Sequence, residues 1–210
     1  MAALTLDHLL VYGDLDVLVA DVTAALGVEP DDGGSHPGAG TRNAIFAAAG
    51  QRAFELLGPD GPHGSSPVWA PEVRAGRGVL WWWAVRAERP LDEVRALLGR
   101  EGIATTPPEP GSRVRPSGDR LEWATVDAVG HPFGTALPFV IRWGEGVPPW
   151  RLVTDPACEI RGFRLGHPAA ADLRDLLGRL GLDVPVDDAE APRLTAELVG
   201  PRGSVRFTSS

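Results

Sequence analysis

The chain has 210 residues, 43% hydrophobic and 23% charged, which are ordinary globular values and exclude a disordered or fibrous protein. A formal net charge of −8 argues against non-specific nucleic-acid binding, which needs a basic face. No apolar run reaches the roughly 20 residues of a membrane span, and the N-terminus lacks the pattern of a signal peptide, so no membrane partner and a cytoplasmic location are expected.

All 20 basic residues are arginine. The absence of lysine excludes Schiff-base chemistry and a Walker-type phosphate loop. Together with abundant Ala, Gly and Pro it suggests a GC-rich, bacterial genome. The single cysteine, Cys158, excludes an internal disulfide and a cysteine-based zinc cluster. Gly 26 and Pro 20 point to short strands and loops.

Residues 4–12 alternate with period two and read as a strand carrying Leu4, Leu6, His8, Leu10 and Tyr12 on one face. Asp14 caps a helix running to about Gly27. A Gly- and Asp-rich loop is expected over 29–41. Two apolar runs, 43–49 and 52–57, form a hairpin across Gly50-Gln51. Residues 58–77 read as a loop. The pattern then restarts: a strand over 78–87, a helix from Pro90 to about Glu101, a Pro-rich loop over 105–118, and strands over 121–129 and 135–143. A third round has a strand over 159–165, a helix over 169–180 and a hairpin of 194–199 with 204–208. Residues 94–103 and 173–182 are identical at six of ten positions, which supports internal repetition.

The opening Leu6-Asp7-His8-Leu9 with Asp14-Leu15-Asp16, then the segment from His36-Pro37-Gly38 to Asn43-Ala44, then Phe54-Glu55-Leu56-Leu57-Gly58-Pro59, resemble the vicinal oxygen chelate superfamily and its glyoxalase-like domain family. The resemblance is clearest over residues 4–60 and extends to about 150. It implies an α+β fold in which tandem βαβββ modules form an open curved barrel, of the glyoxalase/bleomycin-resistance type. The expected organisation is a two-module domain over 4–150, with modules at about 4–60 and 78–145, and an additional partial βαββ module over 158–208. The resemblance also implies a cavity where many members hold one divalent metal through a His and a Glu from each module. Reactions in the superfamily include isomerisation, epimerisation, ring-cleaving dioxygenation and epoxide opening. Other members only bind small molecules, antibiotics included.

Under that resemblance His8 and Glu55 are the metal ligands, with His36 completing a two-His, one-carboxylate set for Zn, Ni, Mn or Fe. Without a metal, Glu55 is the candidate catalytic base. His8 reads equally as a hydrogen-bonded histidine on an apolar strand, and Glu55 as a carboxylate alternating with Phe54 and Leu56. Module two offers Leu80, Trp81 and Trp82, and then residues 137–143, with neither His nor carboxylate. The four-ligand site of glyoxalase I is therefore half present.

His36, Arg42 and Asn43 lie in the glycine-rich segment and are candidate substrate contacts, with Arg42 as a fork for substrate oxygens. Strand alternation puts Trp81 and Trp83 on one face as an aromatic wall and Trp82 on the other, with Trp123, Trp143 and Trp150 extending either surface. The same pattern reads as core packing. His131, His63 and His167 fall in turns, His131 with an exposed ring. Ser65 and Ser66 carry no nucleophile-elbow motif.

Two functions follow. One is a glyoxalase-like protein acting on a small polar or aromatic metabolite, as a metal-dependent enzyme of lyase, isomerase or dioxygenase type. The other is metal-free binding or sequestration. A third reading makes the C-terminal unit a dimerisation module, giving a homodimer.

Overall fold

A computed structural model describes residues 4–36, 38–60, 78–115, 117–144 and 148–209. His63, Ser65, Ser66 and most of the expected loop over 58–77 lie outside these residues.

The first third of the chain contributes β1 (Thr5–Tyr12), α1 (Leu15–Leu26), β2 (Asp32–His36), β3 (Thr41–Ala48) and β4 (Arg52–Pro59). Helix α1 starts where expected because the Asp14 carboxylate accepts from the Val17 amide. The β3–β4 hairpin turns at Gly50 and Gln51, and Gln51 is the one non-glycine with positive φ among the described residues. The middle third contributes β5 (Val79–Arg86), α2 (Leu91–Arg100), β6 (Ala104–Thr105), β7 (Glu109–Val114), β8 (Arg120–Val126), β9 (Ala128–Val129) and β10 (Phe139–Trp143). Eight of these strands form a barrel in the order β1-β4-β3-β2-β7-β8-β10-β5. The expected open curve thus closes on itself, although the β2–β7 seam is a single paired position, Ser35 opposite Val114.

Two segments expected as loops are strands of this barrel. Strand β2 lies within 29–41 and β7 within 105–118. Asp-Gly-Gly-Ser-His and Glu-Pro-Gly-Ser-Arg-Val have no apolar alternation to announce them. Their pairing is set by neighbours: β2 follows β3 over five positions and β7 follows β8 over six. The expected strand over 121–129 breaks at Asp127, and β9 pairs with β6 in a separate two-stranded sheet. The expected strand over 135–143 begins only at Phe139, after a 3-10 turn at Gly134–Ala136.

The last third contributes β11 (Glu159–His167), α3 (Ala170–Arg179), β12 (Val186–Asp188), β13 (Arg193–Gly200) and β14 (Gly203–Thr208). Its sheet runs β12-β11-β13-β14. In the barrel each opening strand, β1 or β5, lies beside the last strand of its own third, β4 or β10. Here the opening strand β11 lies between β12 and β13, and the last strand sits at the edge. The shared stretch of sequence encodes a helix end rather than a strand order. Gly102 and Gly181 both have φ of 76°, and Ile103 and Leu182 donate back to Leu98 and Leu177 at 3.0 and 2.9 Å. Each glycine adopts the left-handed conformation that ends a helix.

The main apolar core lies outside the barrel. It joins α1 and the outer faces of β1, β4 and β5 to Leu165, Leu173, Leu194, Leu198 and Phe207 of the C-terminal unit. Trp83 packs edge-on against Phe163 at 5.2 Å, and Phe54 meets Phe207 at a tilt at 5.3 Å. The C-terminal sheet therefore covers apolar barrel wall that would otherwise face water. No helix among the described residues is long and apolar enough to cross a membrane.

Candidate functional site

Inside the barrel lies a cavity of about 380 Å³, lined by residues of β1, β2, β3, β4, β5, β7, β8 and β10 and by Trp150. Two register breaks between β1 and β5 decide what faces it. Leu6 pairs with Val85 and His8 with Ala84, so Asp7 is an extra residue; Leu10 pairs with Trp82 and Val11 with Leu80, so Trp81 is another. A bulge resets the alternation of a strand. Leu4 and Leu6 consequently turn to the outer core, while His8 and Leu10 turn inward, so the five expected face-mates are split. On β5, Trp81 and Trp82 both line the cavity, and Trp83 is fully buried on the outer side. The expected grouping of Trp81 with Trp83 is corrected accordingly: one inserted residue exchanges the places of Trp82 and Trp83.

Aromatic rings form two edge-to-face runs in this cavity. Trp81, Trp82, Phe139 and His8 follow one another at centroid distances of 5.5, 5.1 and 5.6 Å. Trp150, Trp143, Trp123 and His36 follow at 5.0, 5.5 and 5.8 Å. Such edge-to-face geometry is the favoured arrangement of ring quadrupoles.

His8 and Glu55, 47 residues apart, meet because β1 and β4 are parallel neighbours. His8 Nε2 lies 3.2 Å from Glu55 Oε2, and its Nδ1 lies 3.7 Å from Asp7 Oδ2. Asn43 Nδ2 donates to Glu55 Oε1 at 2.7 Å, and Trp143 Nε1 donates to Asp7 Oδ2 at 3.0 Å. Burial alone would lower the His8 pKa. The Asp7 carboxylate, with the charges of Glu55 and Asp7, outweighs burial and raises it above the usual 6.5. His36 shifts the other way: burial and the Arg113 charge lower its pKa against the pull of Glu55 and Asp60. Its Nδ1 is 2.9 Å from the Thr41 hydroxyl.

The expected metal ligands His8, His36 and Glu55 do not form a three-donor group, and no such group of His, Cys, Asp or Glu exists among the described residues. Both Glu55 oxygens already face protein partners. On β5 and β10, Trp82, Phe139 and Ile141 stand around the cavity where a second pair of donors is needed. This donor set does not fit a chelated divalent metal.

Arg42 is not in the cavity. Its Nη2 donates to the exposed Asp16 carboxylate at 2.7 Å. The cavity's guanidinium is Arg113, on the strand mistaken for a loop, and it is 1% exposed. Its Nη2 donates to Asp32 Oδ2 at 2.6 Å, and Arg115 Nε donates to Asp32 Oδ1 at 3.2 Å. These contacts with Arg113 and Arg115 hold the Asp32 pKa below the usual carboxylate value although burial opposes them. No sequence signal marks Arg113 except its parity within Ser112-Arg113-Val114, which is legible only once β7 is known. His131 is half-buried rather than exposed, stacks on Phe133 at 5.9 Å and closes its own turn by accepting from the Phe133 amide. His167 is buried and accepts from the Ala169 amide ahead of α3.

Among curated proteins none matches the sequence. Solved structures do. A hypothetical protein from Staphylococcus aureus aligns with 99% of this chain and 86% of its own, at 15% identity and a TM-score of 0.63. A hypothetical protein from Bacillus halodurans covers 69% of this chain and 96% of its own, at 17% identity and a TM-score of 0.46. A methylmalonyl-CoA epimerase variant from Streptomyces coelicolor, in complex with 2-nitronate-propionyl-CoA, covers 67% and 97%, at 22% identity and a TM-score of 0.43. The family model described as "Glyoxalase-like domain" matches residues 6–181, from β1 through α3. This match, over a chain folded as an eight-stranded barrel, places it in the glyoxalase-like domain family.

Proposed function

We propose that this chain is a metal-independent small-molecule binding protein, with a planar ligand held in the barrel cavity. The observation that carries this reading is the pair of aromatic runs inside a cavity of about 380 Å³, a size suited to a small metabolite. Stacking surface is what sequestration of an aromatic compound requires. Among the cavity's polar groups, His8, Glu55 and Asn43 are engaged with one another rather than arranged around a missing cation.

The test combines two measurements. Metal content is read by mass spectrometry on protein purified without chelators, with His8→Ala and Glu55→Ala beside it. Naphthyl compounds are titrated against tryptophan fluorescence. Saturable quenching and no His8- or Glu55-dependent uptake of Zn, Ni, Mn or Fe(II) support the reading. Near-stoichiometric metal lost in both variants overturns it.

The position of His8 between two carboxylates favours a second reading, a metal-independent isomerase- or lyase-type proton transfer. Glu55 would take the proton, and the imidazolium of His8 would stabilise the charge that develops. Ligand-to-solvent hydrogen exchange that is lost in Glu55→Gln while binding persists would establish it. Exchange that survives in Glu55→Gln would exclude it.

A further inference from the structure

We propose that the cavity selects an aromatic carboxylate, and that Arg113 is the residue that reads the carboxylate. The inference rests on the binding function above and adds the ligand's chemistry.

Arg113 is 1% exposed and lines the cavity, yet its Nη1 has no hydrogen-bond partner among the described residues. A buried guanidinium donor left unpaired is costly, so a native protein keeps one for a purpose. Arg113 Nη2 is held by Asp32, which also accepts from Arg115, and Arg115 in turn lies 3.8 Å from the Asp119 carboxylate, so Arg113 Nη1 is the donor left over. A carboxylate supplied by a ligand would satisfy that donor through a charge-assisted bond.

Two further orphans line the same cavity. Asn43 Oδ1 and Trp150 Nε1 are both buried without partners among the described residues. Trp150 adds a second donor for a ligand oxygen, and Asn43 adds an acceptor for a ligand hydroxyl or amine. The backbone is shaped to let Arg113 in. Asn43 pairs across from Gly34, and a Cβ on Gly34 would lie 3.2 Å from Arg113 Cγ and 2.1 Å from the Val114 carbonyl. Gly34 thus keeps clear the space that the arginine stem occupies.

Glu55, Glu109 and Asp127 are the carboxylates on the cavity wall. Burial, and then the Glu109 charge, raises the Asp127 pKa above the usual aspartate value.

Calorimetric titration of the wild-type chain with a naphthoate, the matching naphthamide and the matching naphthyl methanol decides the question. These three share a ring system and differ in the oxygen group. The naphthoate is expected to bind roughly tenfold or more tighter than the naphthamide, as a charged hydrogen bond gives. In Arg113→Gln the preference should collapse, in Arg113→Lys it should persist in part, and in Arg42→Ala it should be unchanged. Equal affinities for naphthoate and naphthamide in the wild type overturn the assignment while leaving aromatic binding intact. A preference that survives in a folded Arg113→Gln overturns the role of Arg113. No binding of any of the three overturns this proposal and the binding function together. The wild-type series does not depend on whether any variant folds.

Discussion

Replacing Trp83 with alanine should damage stability and leave the cavity alone, whereas replacing its neighbour Trp82 should do the reverse. The Trp83 side chain is fully buried between the barrel and the C-terminal sheet. Its Nε1 donates to the Ala136 carbonyl at 3.2 Å, and its ring meets Phe163 at 5.2 Å. Truncating a buried tryptophan costs about 3–5 kcal/mol, and at about 2–4 °C per kcal/mol for a chain of this size the melting temperature should fall by on the order of 10 °C. Trp82 is only partly buried and lines the cavity, so its loss should mainly weaken ligand binding. The assay is thermal unfolding followed by circular dichroism, with naphthoate affinity measured on each folded variant. A Trp83→Ala protein that melts within about 2 °C of wild type would refute the packing argument. Naphthoate affinity that follows Trp83 rather than Trp82 would refute the bulge at Trp81 and restore simple alternation.

Three other outcomes are expected. Gly34→Ala forces a Cβ against the Val114 carbonyl at a φ of +151°, so it should destabilise the chain by about 1–3 kcal/mol and speed amide hydrogen exchange along the β2–β7 seam; unchanged exchange there would count against a barrel closed at that seam. Arg42→Ala removes a surface ion pair with Asp16 and should cost no more than about 1 kcal/mol, read by denaturant unfolding, with no change in affinity. The folded state binds the His8 proton more tightly than the unfolded chain, so its stabilising contribution is complete below pH 6.5 and is lost as pH rises through the folded value. An NMR titration should place His8 above 6.5 in the wild type and lower in Glu55→Gln; a wild-type value below 6.5 would show that burial outweighs the two carboxylates.

Much of the local structure is legible in the amino-acid sequence. The Asp14 cap and amphipathic spacing marked α1, period-two alternation marked β1, and two apolar runs on either side of Gly50-Gln51 marked the β3–β4 hairpin. These are local signals, carried by backbone preferences and by which residues a strand or helix can bury. The motif around Leu6-Asp7-His8 and Phe54-Glu55 likewise identified the family and brought His8 to Glu55. Tertiary structure alone decided the rest. Strands β2 and β7 are glycine- and proline-containing segments ordered by the partners beside them, so Arg113 stayed hidden inside an apparent loop. The bulges at Asp7 and Trp81 arise from pairing two particular strands, and a single extra residue reverses every side chain beyond it. That is why the sequence supplied the tryptophans and the arginines, while only the closed barrel decided which of them face the ligand.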